Sequence, residues 1–397
     1  MIDKNIRRSL SKFAKQSQRG QNTERIKKGK HSVSRSKFES ILICPISKLP
    51  LIPLSPDALQ HLNARIQAGE IKTQLGQCPP MPVQAAFEAQ HGLTTYYIQQ
   101  DGIYYLLPEY ALGEHIAQEQ GSTATAESKS TVKSFYNDFG WHTEEGVYQD
   151  ALDSEDLRSV SRDYILQCHL RLNQFLPKQG QYLLDVASGP VQYPAYFSYS
   201  ENFDYRICAD ISLLALKEAQ KRLGSKGLYV LCDITQLPFT ANAVDGIVSL
   251  HTLYHVPREE QSLAFSELYR VLKPQGVSVV VYSWGSRSLL MNVLLLPFKA
   301  YALLKKIYKS TLSPDNAANT TLYFYAHSYR WFCEEIKNKY STQLYSWRSL
   351  NVPFMKIFIH PALGGRWILK AFFAVESKWH YFMGKIGAYP LFVTVKK

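Results

Sequence analysis

Tyr182-Leu-Leu-Asp-Val-Ala-Ser-Gly-Pro190 decides how the rest of the chain is read. A short apolar run reaches an acid, Asp185, and then breaks into small, turn-forming residues. A buried parallel strand ends in this way where its backbone must come close to a ligand. Arg206-Ile-Cys-Ala-Asp210 repeats the grammar: a second apolar run ending in an acid. Leu228-Tyr-Val-Leu-Cys232 runs into Asp233, and Gly246-Ile-Val-Ser-Leu-His251 follows Asp245. Four such runs in series predict the parallel strands of an α/β sheet.

An acid at the tip of the second strand, at that distance from the first, accepts hydrogen bonds from ribose hydroxyls in doubly wound nucleotide-binding folds. The glycine signal is thin. Only Gly189 stands where several glycines are expected, with Ala187 and Val191 in the flanking slots. The ordered motifs carry more. Leu184-Asp-Val-Ala-Ser-Gly189, Cys232-Asp-Ile-Thr-Gln-Leu-Pro-Phe239, Leu253-Tyr-His-Val-Pro257 and Glu267-Leu-Tyr-Arg-Val-Leu-Lys-Pro274 follow one another. In them the chain resembles the class I S-adenosylmethionine-dependent methyltransferases, and among these the ubiquinone/menaquinone-biosynthesis type (methyltransferase type 11). The resemblance covers roughly residues 160–285. It implies a Rossmann-like, seven-stranded methyltransferase sheet with helices on both faces, and S-adenosyl-L-methionine as cofactor.

The resemblance also implies roles. Asp185, Ser188 and Gly189 would contact the amino-acid part of the cofactor, and Ala187 would let the backbone approach it. Asp210 would accept from the ribose hydroxyls with Ile211 flanking the adenine. Asp233 would accept from the adenine amino group with Ile234 on the ring, and Leu250 would complete the cofactor site. Each acid could instead be a strand-end or helix-cap residue. Methyl transfer displaces an already activated group, so positioning and exclusion of water suffice and no metal or nucleophile is required. His251 is the candidate catalytic residue, with His255 as the alternative, because imidazole titrates near neutral pH. A histidine that only bonds locally is the competing reading, and His169 is read as a packing residue.

Of 397 residues, 46% are hydrophobic and 13% aromatic, which describes a globular chain with ample core. The net charge of +12 is concentrated at the front: residues 1–38 hold twelve Lys and Arg against Asp3 and Glu24. The remainder is close to neutral, which argues against a nucleic-acid groove. Residues 1–38 read as a basic disordered tail, although Ile2, Ile6, Leu10 and Phe13 share one helical face that could target an organelle or lie on an anionic membrane. Six cysteines without CxxC spacing point to reduced thiols in a cytoplasmic protein. No apolar run is long enough to span a bilayer.

Residues 39–112 resemble, at both ends, the short zinc-ribbon-like domain found ahead of many bacterial methyltransferases. Here Ser47 stands where a partner thiol for Cys44 is expected and only Cys78 is nearby, so no metal is predicted. This small β-rich domain would brace the catalytic one. Residues 113–132 read as a linker. Ser134-Phe-Tyr-Asn-Asp-Phe-Gly-Trp141 offers Tyr136, Phe139 and Trp141 either as a lid over the cofactor or as packing against the sheet. The methyltransferase domain would occupy 133–397, with a helical C-terminal part inserted at about 286–340 and 351–389. Insertions at these positions commonly form the substrate-side cap of the resembled family, so Leu289–Tyr308 and Asn351–Tyr389, with aromatics including Trp367 and Phe372, read either as a cap over the acceptor or as a buried helical subdomain. The sequence favours methylation at O or C of a small, apolar or aromatic acceptor. An RNA methyltransferase and a non-catalytic regulatory partner with a vestigial cofactor site are the alternatives.

Overall fold

The computed structural model describes residues 36–90, 94–113, 123–144, 147–298 and 322–397. The basic tail up to residue 35, and residues 299–308 of the expected cap, therefore lie outside the described residues.

Among the described residues the strands are β1 (Leu51–Pro53), β2 (Ala85–Gln90), β3 (Thr94–Gln100), β4 (Ile103–Tyr105), β5 (Leu112–Gly113), β6 (Thr143–Glu144), β7 (Val147–Tyr148), β8 (Gly180–Val186), β9 (Phe203–Asp210), β10 (Gly227–Leu231), β11 (Val244–Leu250), β12 (Leu272–Val281), β13 (Gln343–Arg348) and β14 (Tyr389–Val395). The main sheet runs β1-β2-β3-β4-β10-β9-β8-β11-β12-β14-β13. Its last seven members are the strands expected from the sequence. β10, β9, β8, β11 and β12 are parallel, and β14 runs antiparallel between β12 and β13.

The apolar runs are strands because both faces of a parallel sheet are covered. With side chains alternating, Leu183, Cys208 and Val248 enter one core, and Leu184, Ile207 and Ile247 enter the other. Leu184 is fully buried, and burial of a leucine contributes about 1.5–3 kcal/mol. The helices that cover the sheet include α1 (Pro56–Gln67), α2 (Thr123–Phe135), α3 (Arg162–Leu170), α4 (Leu213–Leu223), α5 (Gln261–Val271), α6 (Val352–Phe358), α7 (Gly365–Lys378) and α8 (His380–Ile386). Helix α4 starts where Ser212 Oγ accepts from the Ala215 N–H, and it stops at Gly224, whose φ is +54°.

The front segment is not a separate layer. β4 pairs in parallel with β10, Tyr104 opposite Val230, so the N-terminal strands extend the methyltransferase sheet at its edge. The attachment is reinforced by Leu106 N–H donating to the Leu231 carbonyl (2.8 Å) and by Lys48 with Glu267 (2.9 Å). Cys44 Sγ is buried against the Tyr97 hydroxyl, and Cys78 is exposed. Among the described residues no group of three or more His, Cys, Asp and Glu side chains is arranged to hold a metal.

Part of the expected linker is helical: α2 begins at Thr123. Its composition is polar, so the reason is tertiary. Lys129 pairs with Asp233 (2.8 Å) and Glu260 (2.7 Å), and Lys133 pairs with Glu109. No helix among the described residues is long and apolar enough to cross a membrane.

Candidate active site

The carboxyl ends of β8, β9, β10 and β11 open into one cavity of about 360 Å³, within the range of small-molecule sites. Asp185, Ala187, Ser188, Gly189, Asp210, Ile211, Asp233, Ile234, Leu250 and His251 all line it. Strand order explains the convergence. β9 and β10 lie on one side of β8 and β11 on the other, so the strand ends diverge there and leave a crevice.

The loop after β8 is held in a strained form. Ala187 (φ +52°), Gly189 (+54°) and Val191 (+54°) all lie in the left-handed region. The two positions where the sequence lacks an expected glycine therefore keep the glycine conformation, at roughly 1 kcal/mol or more each. Such strain persists where surroundings enforce it, and Val191 is fully buried. At Gly189 a glycine is required twice over, because an added Cβ would lie 2.8 Å from the Trp141 ring.

The three acids have different jobs. Asp185 is buried and bonded through Oδ2 to Arg206 Nε (3.0 Å) and Nη2 (2.5 Å), an ion pair inside the core. Its carboxylate is already engaged by the protein. Asp233 accepts from the Thr235 N–H and Oγ (2.8 Å each) and pairs with Lys129, so it ties α2 over the crevice. Asp210 Oδ2 accepts from the Gly189 N–H (2.8 Å) and Oδ1 from the Ser212 N–H (2.8 Å). Burial raises its pKa to about 6 against those backbone donors. A carboxylate offers about four lone-pair sites, so Asp210 retains acceptor capacity toward the cavity.

Tyr136 and Trp141 lie over the crevice, stacked with ring centroids 4.9 Å apart, and Asn137 Oδ1 accepts from Ser212 Oγ (2.6 Å). Of the three aromatic lid candidates, these two line the cavity. Phe139 does not, and it is exposed. The indole N–H of Trp141 is buried without a partner, which fits a ligand acceptor atom beside it.

On the other side of β8 stand His251 and an aromatic wall. His251 has φ +59° and its ring contacts Trp347 (4.6 Å) and Tyr389 (5.4 Å). Burial, with Arg348 nearby, pulls its pKa down to about 3, so the imidazole is neutral. His255 is pinned through Nδ1 to the Tyr323 carbonyl (2.7 Å) and is held down to about 4 by burial.

The expected cap is placed differently. From Asn351–Tyr389 only Tyr389 lines the cavity. Trp367 is 73% exposed, while Phe372 and Phe373 pack against the core, Phe373 under the Arg171 guanidinium at 4.3 Å. The stretch is amphipathic, and its apolar inner face covers β13 and α3 instead of the crevice. Leu322, Phe324, Tyr193, Tyr196, Tyr254, Glu155 and Arg348 also line the cavity and were not singled out from the sequence. Tyr254 falls in the Leu253–Pro257 motif and Leu322 and Phe324 in the expected 286–340 insertion; no local motif marks the others, which come from separate loops and strand ends.

Residues 184–280 match the family model described as methyltransferase domain. Over those residues the chain carries a methyltransferase domain. It is 28% identical over 172 residues to a sterol 24-C-methyltransferase of Pneumocystis carinii, covering 41% of this chain and 42% of that one. It is 31% identical over 110 residues to a ubiquinone/menaquinone biosynthesis C-methyltransferase of Ruegeria sp., covering 26% and 43%. The chain thus spans less than half the length of these curated relatives. Among solved structures, magnesium protoporphyrin IX methyltransferase of Synechocystis with bound S-adenosylhomocysteine aligns at 16% identity and a TM-score of 0.40, covering 68% of this chain and all of that one.

Proposed function

We propose that the chain transfers a methyl group from S-adenosylmethionine to O or C of a small, mainly apolar or aromatic acceptor. The observation that carries this is the single cavity joining Asp210 and Asp233 on one side of β8 to His251 and the aromatic wall on the other. Asp210 holds the ribose hydroxyls, and Ile211 and Ile234 flank the adenine. The strained Ala187–Gly189 backbone and Leu250 bound the amino-acid end, while the Asp185–Arg206 pair keeps that loop in place. Bound there, the cofactor would supply an already activated methyl group to the acceptor. Tyr136 and Trp141 exclude water. Neutral His251 accepts a hydrogen bond from the acceptor and orients it. Calorimetry with S-adenosylhomocysteine tests the reading: we expect one site per chain. A folded protein that gives no binding favours the non-catalytic alternative. Salt-dependent RNA binding lost on deleting residues 1–38 favours the RNA alternative, which a near-neutral folded part does not support.

A cytoplasmic setting with peripheral membrane contact belongs to the same reading. All six cysteines are unpaired. On α6–α8, Leu363, Trp367, Trp379 and Phe382 are exposed among Lys356, Arg366, Lys370, Lys378 and Lys385, and the only acid there, Glu376, is fully buried. An acid-free face of aromatics and cations suits an anionic bilayer surface.

A further inference from the structure

The geometry points to an acceptor that carries an anionic oxygen, a carboxylate or an ionised enol or phenol, seated against Arg348. This rests on the methyl-transfer reading and narrows its acceptor.

Arg348 ends β13, is 2% exposed and lines the cavity. Its Nη1 donates to Glu155, itself buried, whose other oxygen lies 3.4 Å from His169 Nε2. Arg348 Nε has no partner, and Nη2 makes no hydrogen bond among the described residues. A buried guanidinium with one edge unpaired is costly, and buried donors are nearly always satisfied. Trp347 and Tyr389 flank the guanidinium with ring centroids 4.9 Å away, which fixes its plane.

The neighbouring wall repeats the pattern. Tyr193, Tyr196, Tyr254 and Tyr389 all line the cavity, and none of their hydroxyls has a hydrogen-bond partner among the described residues. Ring contacts join them through His169 and His251: Tyr193 at 4.6 Å and Tyr196 at 5.1 Å from His169, Tyr389 at 5.4 Å from His251. The result is an aromatic-walled slot whose rings meet mostly edge to face, with the Arg348 guanidinium at its edge. Glu155 Oε1 already takes Arg348 and the Asp156 N–H, so the free edge at this end of the slot is the guanidinium's. A group with an oxyanion satisfies the free guanidinium edge; an arginine edge is shaped for that contact and a lysine is not.

Arg348 is on β13, four places from β8 in the sheet, whereas Asp210 and Asp233, which hold the ribose and adenine, lie at β9 and β10 on its other side; the titration below separates the acceptor from the cofactor's own carboxylate. An oxyanion held at Arg348 also gives the acceptor the electron density that attacks the methyl carbon.

The test is calorimetric titration of the full chain, first with S-adenosylhomocysteine and then with naphthoate, naphthol and the neutral naphthalene-methanol. Wild type should bind naphthoate, or naphthol increasingly as pH rises, at least about tenfold tighter than the neutral probe. Preference for naphthoate assigns a carboxylate, and a pH-dependent preference for naphthol assigns an ionised hydroxyl. The Glu155→Gln/Arg348→Gln double variant leaves no buried ion unpaired and should keep its Tm and homocysteine-analogue affinity while binding all probes alike. Should it not fold, Arg348→Lys keeps the charge without the planar edge and should lose most of the preference. Equal binding of the three probes by wild type overturns the inference, as does a preference that survives in the variants. A variant that loses S-adenosylhomocysteine instead of the preference also overturns it, by moving Arg348 to the cofactor. Failure of the wild type to bind S-adenosylhomocysteine sinks the methyl-transfer reading separately, and the probe titrations without it still decide Arg348.

Discussion

The sheet on either side of β8 treats its polar groups in opposite ways. Toward β9 and β10, each acid is engaged within the protein: Asp185 with Arg206, Asp233 with Lys129 and Thr235, Asp210 with two backbone N–H groups. Toward β11, β14 and β13, donors are left without partners at Arg348 Nε and on a ring of tyrosines. The first half is built to hold its own shape, with spare capacity only at Asp210. The second is incomplete without a ligand. The difference teaches that strand-end acids in one cavity can mostly serve the fold, while the groups open to a ligand show themselves by what the fold leaves unpaired.

The largest expected effect lies inside the engaged half. Arg206→Met strands Asp185 as a buried charge and should lower unfolding free energy by roughly 3–5 kcal/mol, read as a shifted urea midpoint. Arg206→Met with Asp185→Leu should recover much of it. If the single variant stays stable but loses cofactor affinity, Asp185 serves the ligand and the contrast between the halves fails.

Asp210→Asn should weaken S-adenosylhomocysteine by roughly 2 kcal/mol, since a charged acceptor is replaced by a neutral one. The wild-type affinity should also fall as pH drops through about 6, where the buried carboxyl gains its proton, and the Asn variant should show no such step. The sign separates this from unfolding. The folded value lies above the 3.8 of an ordinary aspartate, so this group's stability contribution is complete at low pH and is lost as pH rises through about 6. An affinity that rises on acidification would remove Asp210 from the site.

On the outer layer of the second half, Lys370→Gln with Lys378→Gln should weaken binding to phosphatidylglycerol vesicles by about 1 kcal/mol per residue, with phosphatidylcholine vesicles bound weakly by both proteins. Equal sedimentation of wild type and variant would leave the exposed tryptophans without a membrane role. The smallest effect is local. Ala187→Gly should stabilise the protein by about 1 kcal/mol by relieving a positive φ, seen as a rise in Tm; a fall would mean that the Cβ packs usefully.

Strands, their order and the carboxylates at their tips were legible because each is marked within a few consecutive residues. Asp210 is recognisable as a strand-end acid without knowing its neighbours. Arg206 as the partner of Asp185 was not, because the pair depends on register: Arg206 stands opposite Leu183 and Cys208 opposite Asp185, which places the two charges diagonally on one face. The aromatics of 351–389 suggest an acceptor cap by their density and by where the resembled family carries its insertions. Density does not say which face of an amphipathic helix turns inward, and Trp367 faces outward.

By itself, then, the chain determined the seven strands of the methyltransferase sheet, their helices and the strand-end acids Asp185, Asp210 and Asp233. These rest on period, turn chemistry and spacing, which act over short stretches. Only the tertiary structure decided that β4 joins β10, that Lys129 draws α2 down onto Asp233, and that Arg348 meets Glu155 from 193 residues away. Contacts over such separations follow from sheet register and packing, and no local pattern encodes either.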